Sequence, residues 1–349
     1  MLFASPLTKQ LCASAVVAAL ASISLAPLRA DEPTAAQPAA EAPAKETAQA
    51  AETKTEEKSV MKTAEKPADE AKKEAKPKSE KKSTVTVGGL EWRTDYNKAY
   101  QAAKRNKQML LINLTSTSTN NVQTSVDNYF ATNAAIQKKL DGVSRLRLPV
   151  DAEITVDGKA QRLLSFPAFA QLQGGAGFVL LDLKNEGAPH YGHAVNVLPY
   201  SSGKYYHWQN NHLSVILDLP SGTLTQRTMI WAVRTHPEAP QSTYGTLHPT
   251  LANGAASHSS YQASIGQQGH QNFGSRFNQL SGATGGPVSE VVAESWPGQN
   301  MIDSCIDCVQ SWRGSSGHWR GVSGRHRAFG YDIRRGGNGI WYGTGIFAD

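Results

Sequence analysis

The residue types most able to do chemistry gather in the last third of the chain. His270, Glu294 and His318 stand there in order, with Glu290 as a second acid close to Glu294. Two imidazoles can hold a divalent metal through neutral nitrogens, and a carboxylate can orient one ring or activate a water. The same trio could serve as general base and general acid. No cofactor is fixed by these types; zinc or calcium is the metal they would admit, with His270 and His318 as its ligands. A second candidate is Cys305-Ile306-Asp307-Cys308, a C-x-x-C spacing that suits a thiol oxidoreductase. Reactive pairs place the first Cys at a helix N-terminus, whereas Cys305 falls on the apolar face of Met301–Trp312, so a structural role for both thiols comes first. Trp312, Trp319, Trp341 and Tyr342 cluster around His318 in sequence. They suit core packing, or the rim of a site offering ring faces to a lipid or glycan. His190, His193, His207 and His212 are loosely spaced, with no Cys or acid to complete a tetrahedral set.

Elements must position these groups. Asp95–Gln108 reads as a helix, with Tyr96, Ala99, Tyr100 and Ala103 at helical spacing. Met109–Leu114, Ser144–Val150, Phe178–Leu183, His193–Leu198 and Leu213–Leu219 read as strands, and Trp231–Val233 as one more. A Pro cluster marks a domain boundary near 237–246. Beyond it, Ala255–Gly269 and Met301–Trp312 are helical, Val288–Trp296 is a short apolar run, and Gly314–His318 breaks the second helix. Ala328–Ile333 and Ile340–Phe347 flank Gly336-Gly337-Asn338-Gly339, a hairpin signal. Mixed helices and strands predict an α/β (α+β) protein.

Four segments carry a family likeness: "HQNF" at 270, "VAESWPG" at 292, "VQSWRGSSGHWRGV" at 309 and "GYDIRRGGNGIWYGTGIF" at 330. As an ordered set they resemble the CAP superfamily of cysteine-rich secretory and pathogenesis-related proteins, over about 105 residues. The resemblance implies an α-β-α sandwich with His270, Glu294 and His318 facing one cleft. It also implies lipid, ion or partner binding, since family members share no common reaction. "AESW" stands where "GEN" is usual, and Ser315 stands where many members have a second Glu. The middle region, from Trp92 through "DYNKAYQAAKRNKQMLLINL", resembles the opening of thioredoxin-like domains, but "TSTSTNN" at 115–121 has no Cys, so redox chemistry is absent from that resemblance.

The rest of the chain bears on setting. The 349 residues carry a net charge of +6 and only 3 Cys, which excludes a disulfide-rich scaffold. The Arg residues are scattered, so a solvated basic surface is expected and no nucleic-acid partner. Residues 1–30 read as a secretory signal: Lys9, an apolar Leu11–Leu25 and Leu28-Arg29-Ala30 before Asp31. Residues 31–86 hold 13 Ala, 11 Lys and 12 acids with no Phe, Trp, Tyr, Ile or Leu. Such a segment cannot offset its ordering entropy by burial. It is expected to be a disordered linker tethering the folded part to the envelope. The expected order is thus signal 1–30, linker 31–86, a thioredoxin-like domain 87–240 without redox Cys, and a CAP-like domain 245–349. The protein should be secreted or periplasmic. Its leading function is a non-catalytic binding module for a metal, lipid, cell-envelope component or protein, with Trp312 and Trp319 beside the His/Glu/His cleft. The alternatives are a hydrolase using the same cleft and a thiol oxidoreductase using Cys305 and Cys308.

Overall fold

The structure, a computed structural model, describes residues 83–156 and 158–349. The expected signal and nearly all of the expected linker lie outside these residues.

Strand structure is present slightly before the expected linker boundary at 86. Strands β1 (Thr84–Val87) and β2 (Leu90–Arg93) form a hairpin around Gly88-Gly89, both at positive φ. Asp95 then caps α1 (Tyr96–Arg105) by accepting from the Lys98 N–H at 2.9 Å, and Lys104 and Arg105 oppose the helix dipole at its end. The chain continues through β3 (Leu110–Thr115), α2 (Asn121–Thr132), α3 (Ala134–Asp141) and β4 (Ser144–Pro149). A small hairpin, β5 (Glu153–Val156) and β6 (Lys159–Arg162), precedes β7 (Gly177–Leu181) and β8 (Ala194–Pro199). The main sheet runs β1-β2-β4-β3-β7-β8, parallel at β2/β4 and β3/β4 and antiparallel elsewhere.

Both faces of this sheet are covered, which explains why β3 and β7 read as unbroken apolar runs. Leu110, Ile112 and Leu114 pack beneath Ala99 and Ala103 of α1. Leu111, Phe178 and Leu180 face Val126 and Phe130 of α2 and Ile136 and Leu140 of α3.

Two expected strands are helices. Leu213–Leu219 lies in α4 (Asn211–Leu217) and its exit, and Trp231–Val233 lies inside α5 (Leu224–Thr235). A capping box decides the second: Thr223 and Gln226 satisfy each other's backbone N–H groups, and this outweighs the β-branched and aromatic run. Helix α5 is buried along most of its length because it packs against both sheets. Its Arg227 donates to Asn196 Oδ1 at 2.7 Å and to the carbonyls of Ile216, Leu219 and Pro220. Burial pushes that guanidinium down to about 10.

The second sheet has the order β10-β12-β11-β9, from β9 (Thr246–Leu247), β10 (Val288–Glu294), β11 (Ala328–Arg335) and β12 (Trp341–Ala348). One face carries α6 (Pro249–Ile265) and α7 (Phe273–Thr284). Gly330 lets the backbone of α6 come so close that an added Cβ would sit 2.2 Å from the Leu251 carbonyl carbon. The other face carries α5, α8 (Met301–Arg313) and α9 (Ser316–Ser323). The result is three layers, helix–sheet–helix. The hairpin expected at 336–339 joins β11 to β12.

One apolar core runs from the α2–α3 face of the first sheet, through Met229 and Trp231 of α5, to Tyr331, Ile333 and Phe347 of the second. A polar staple accompanies it. The Asp303 carboxylate on α8 accepts from the backbone N–H groups of Lys204, Tyr205 and Tyr206 at 2.8–3.0 Å. Gly203 makes this approach possible, since a Cβ there would lie 2.1 Å from Asp303 Oδ2.

Candidate functional site

The site forms at β10, an edge strand of the second sheet. The loop after α6 folds over that edge, where the Gln268 side-chain amide donates to the Val292 carbonyl at 3.3 Å. Asn272 then adopts a left-handed conformation (φ 57°), and the Phe273 N–H returns to the His270 carbonyl as α7 starts. This turn holds His270 against the strand.

The acid His270 meets is Glu290. Its Nδ1–H donates to Glu290 Oε1 at 3.0 Å. Arg276, one turn into α7, grips the same carboxylate through both terminal nitrogens, with Nη2 3.0 Å from Oε1 and Nη1 on Oε2. His258 of α6 approaches Oε1 to 3.7 Å and gives its Nε2–H to the Gly269 carbonyl at 2.8 Å. The Glu290 side chain is fully buried. Burial alone would raise its carboxyl, but the hydrogen bonds from His270 and Arg276, with the nearby His258 and Arg276 charges, outweigh it and hold the group below its usual range.

Across a gap of 5.8 Å between ring centroids lies His318. It does not sit in a helix-breaking loop: α8 ends at Arg313, and His318 falls in the first turn of α9. Partial burial first, and then the neighbouring His270, push its imidazole below the ordinary value, so it is neutral at neutral pH.

Glu294 is corrected as the third member. It lies four residues further along β10, roughly 13 Å at the usual rise per residue, opposite Tyr342 and exposed. Among the described residues its carboxylate makes no hydrogen bond or ion pair with either imidazole. Glu290 was legible as the rival acid; the signal that could have decided for it is Arg276, one helical turn beyond His270 and able to neutralise a buried acid.

Trp312 is also corrected: it is fully buried against Tyr331 with ring centroids 5.9 Å apart, so it offers no face to a ligand. Trp319 lies tilted against His236, ring centroids 5.0 Å apart, and under the Arg313 guanidinium at 5.4 Å. Cys305 and Cys308 are both buried free thiols in α8, and burial raises both well above the ordinary thiol value. A thiol so placed stays protonated and shielded. His212 is caged by Tyr206, Trp208 and Trp231. His190 Nε2 lies 3.1 Å from Asp182 Oδ2 and 2.7 Å from Ser221 Oγ. The Ser221 contact is a hydrogen bond whose donor depends on the imidazole tautomer, while the Asp182 carboxylate is itself held by hydrogen bonds from Lys184 and Asn185.

Among the described residues no group of three or more His, Cys, Asp and Glu side chains is arranged to hold a metal. At the site itself both Glu290 oxygens are engaged, so the donor set is two imidazoles, half of a tetrahedral zinc set. No helix among the described residues is long and apolar enough to cross a membrane. Compared with protein-family models, curated proteins and solved structures, the chain matches none.

Proposed function

We propose that the chain is an exported binding module of the cysteine-rich secretory and pathogenesis-related type, and that its ligand is held at the paired imidazoles of His270 and His318. One observation supports this best. The Glu290 carboxylate is saturated by His270 and Arg276. The Nδ1 proton of His270 is thereby fixed, and its Nε2 is left as a lone-pair donor beside a neutral His318.

Such a pair suits binding better than hydrolysis. An acid neutralised by Arg276 is a poor base for water. Among the described residues no hydroxyl or thiol hydrogen-bonds to either imidazole. Two nitrogen donors favour zinc over calcium, which prefers oxygen. Two donors also leave coordination positions open to a partner's own atoms, so a metal would bridge the chain to a lipid, wall component or protein of the envelope. The apolar N-terminal run would direct export, and the charged 31–86 segment would serve as the tether.

Isothermal titration of zinc into the full chain tests the reading. One equivalent should bind, and His270→Ala/His318→Ala should weaken it at least tenfold. His193→Ala/His207→Ala should leave it unchanged. No binding by the wild type, or equal loss in both variants, overturns the proposal.

A further inference from the structure

A different face of the molecule carries a charged groove. Arg93 ends β2, and Lys98, Gln101 and Arg105 lie about one turn apart on the outer face of α1, with Asn97 next to Lys98. These five residues line a groove of about 390 Å³. The lining has three cations, two amides and no acid.

The cations are also uncommitted. Elsewhere several basic side chains have ion-pair partners: Lys139 meets Asp218, Arg147 meets Asp127, Arg276 meets Glu290 and Arg313 meets Glu238. Arg93, Lys98 and Arg105 form no ion pair among the described residues. The nearby acid, Asp95, is occupied in capping α1. Lys98 and Arg105 lie about 10 Å apart along the helix, estimated from the rise per residue, with Arg93 just before it at the end of β2, and three like charges so placed repel one another unless an anion lies between them.

The chain enters this face directly. Thr84, the first residue of β1, is paired with Arg93. The residues just before it read Lys76-Pro77-Lys78-Ser79-Glu80-Lys81-Lys82, four cations against one acid.

We infer that this groove docks a linear phosphate polymer, with Arg93, Lys98 and Arg105 each taking a phosphate and Asn97 and Gln101 donating between them. Arg guanidinium forks match phosphate oxygens, and repeated phosphates match repeated cations. The lining has no exposed apolar anchor, which disfavours a bilayer surface. It also has no aromatic face for stacking bases, which disfavours single-stranded nucleic acid. A neighbouring groove of about 580 Å³ shares Asn97 and Lys98 but includes Asp95 and Glu153, so the polymer is confined to the α1 side.

Long-chain inorganic polyphosphate is the probe, titrated into the full chain over a range of salt. Binding should weaken as salt rises. Arg93→Gln/Lys98→Gln/Arg105→Gln should lose at least tenfold in affinity and flatten the log–log salt slope by about two, at ~0.7–0.9 per phosphate contact. Arg320→Gln/Arg325→Gln/Arg335→Gln removes equal charge from exposed positions away from α1 and should cost less than threefold. Circular dichroism confirms that both variants are folded. Equal losses in the two variants, no binding by the wild type, or binding to phosphatidylglycerol vesicles without binding to polyphosphate each overturns the proposal.

Discussion

Glu290 and Glu294 are two carboxylates on one strand with opposite environments, and they should respond oppositely to the same change. Glu290→Gln keeps the shape but strands the Arg276 charge in a buried site. Removing one partner of such a pair should cost on the order of 3 kcal/mol. Glu294→Gln at an exposed position should stay within about 0.5 kcal/mol. Urea unfolding of both variants checks this; equal effects would mean that the buried carboxylate is not the anchor of the site. The thiols allow a second check. Cys305 and Cys308 should resist a thiol-specific reagent in the native chain and react only after denaturation. Rapid modification of either would show that α8 opens and would revive the redox alternative. At this scale the proximity of His270 and His318 was readable from sequence, whereas the acid that His270 meets was not. Two glutamates of the same strand parity differ only in what α6 and α7 bring to them, and that is a tertiary fact.

Helices and strands were legible where local signals agreed. The cap at Asp95, the alternation in β4 and the Gly-rich turn before β12 each matched their period. Errors fell at Leu213–Leu219 and Trp231–Val233, where short apolar runs fit a buried helix as well as a strand. Helix α4 gives an acid-stability prediction. Burial lowers His212 from 6.5 to about 4. The unfolded chain then binds the proton first, so this contribution is complete above pH 6.5 and is lost as pH falls towards 4. His212→Asn should flatten the loss of stability across that window, measured by urea midpoints at pH 7 and pH 4.5. An unchanged slope would refute the burial account. The glycines of the second layer set make a paired prediction. Gly330→Ala drives a Cβ into the α6 backbone and should cost several kcal/mol, on the order of 3 or more. Gly274→Ala and Gly282→Ala, in α7 with nothing within 4 Å of the added Cβ, should each stabilise by about 0.5–1 kcal/mol.

At the scale of the whole molecule, the expected border at 240–245 follows the chain but not the core. Helix α5 precedes it, yet its Met229, Trp231 and Val233 share a cluster with Tyr331 and Ile333 of β11. The residues from 83 onward should therefore melt in a single calorimetric transition, whereas two separated transitions would show independent halves. Sequence could not reveal this, because the pairing of α5 with two sheets depends on contacts about 100 residues apart. The placement of the two ends has a mechanical side. Thr84 begins an outermost strand with one neighbour, in a hairpin whose open end is Thr84 opposite Arg93. Ala348 ends a strand flanked on both sides, facing Val288 and Ala328. Tension applied between residues 83 and 349 would unzip the first strand one rung at a time, while the last must shed two ladders at once. The protein would thus yield first at the end joined to its charged leader and hold fast at the other, like a cloth with one loose hem.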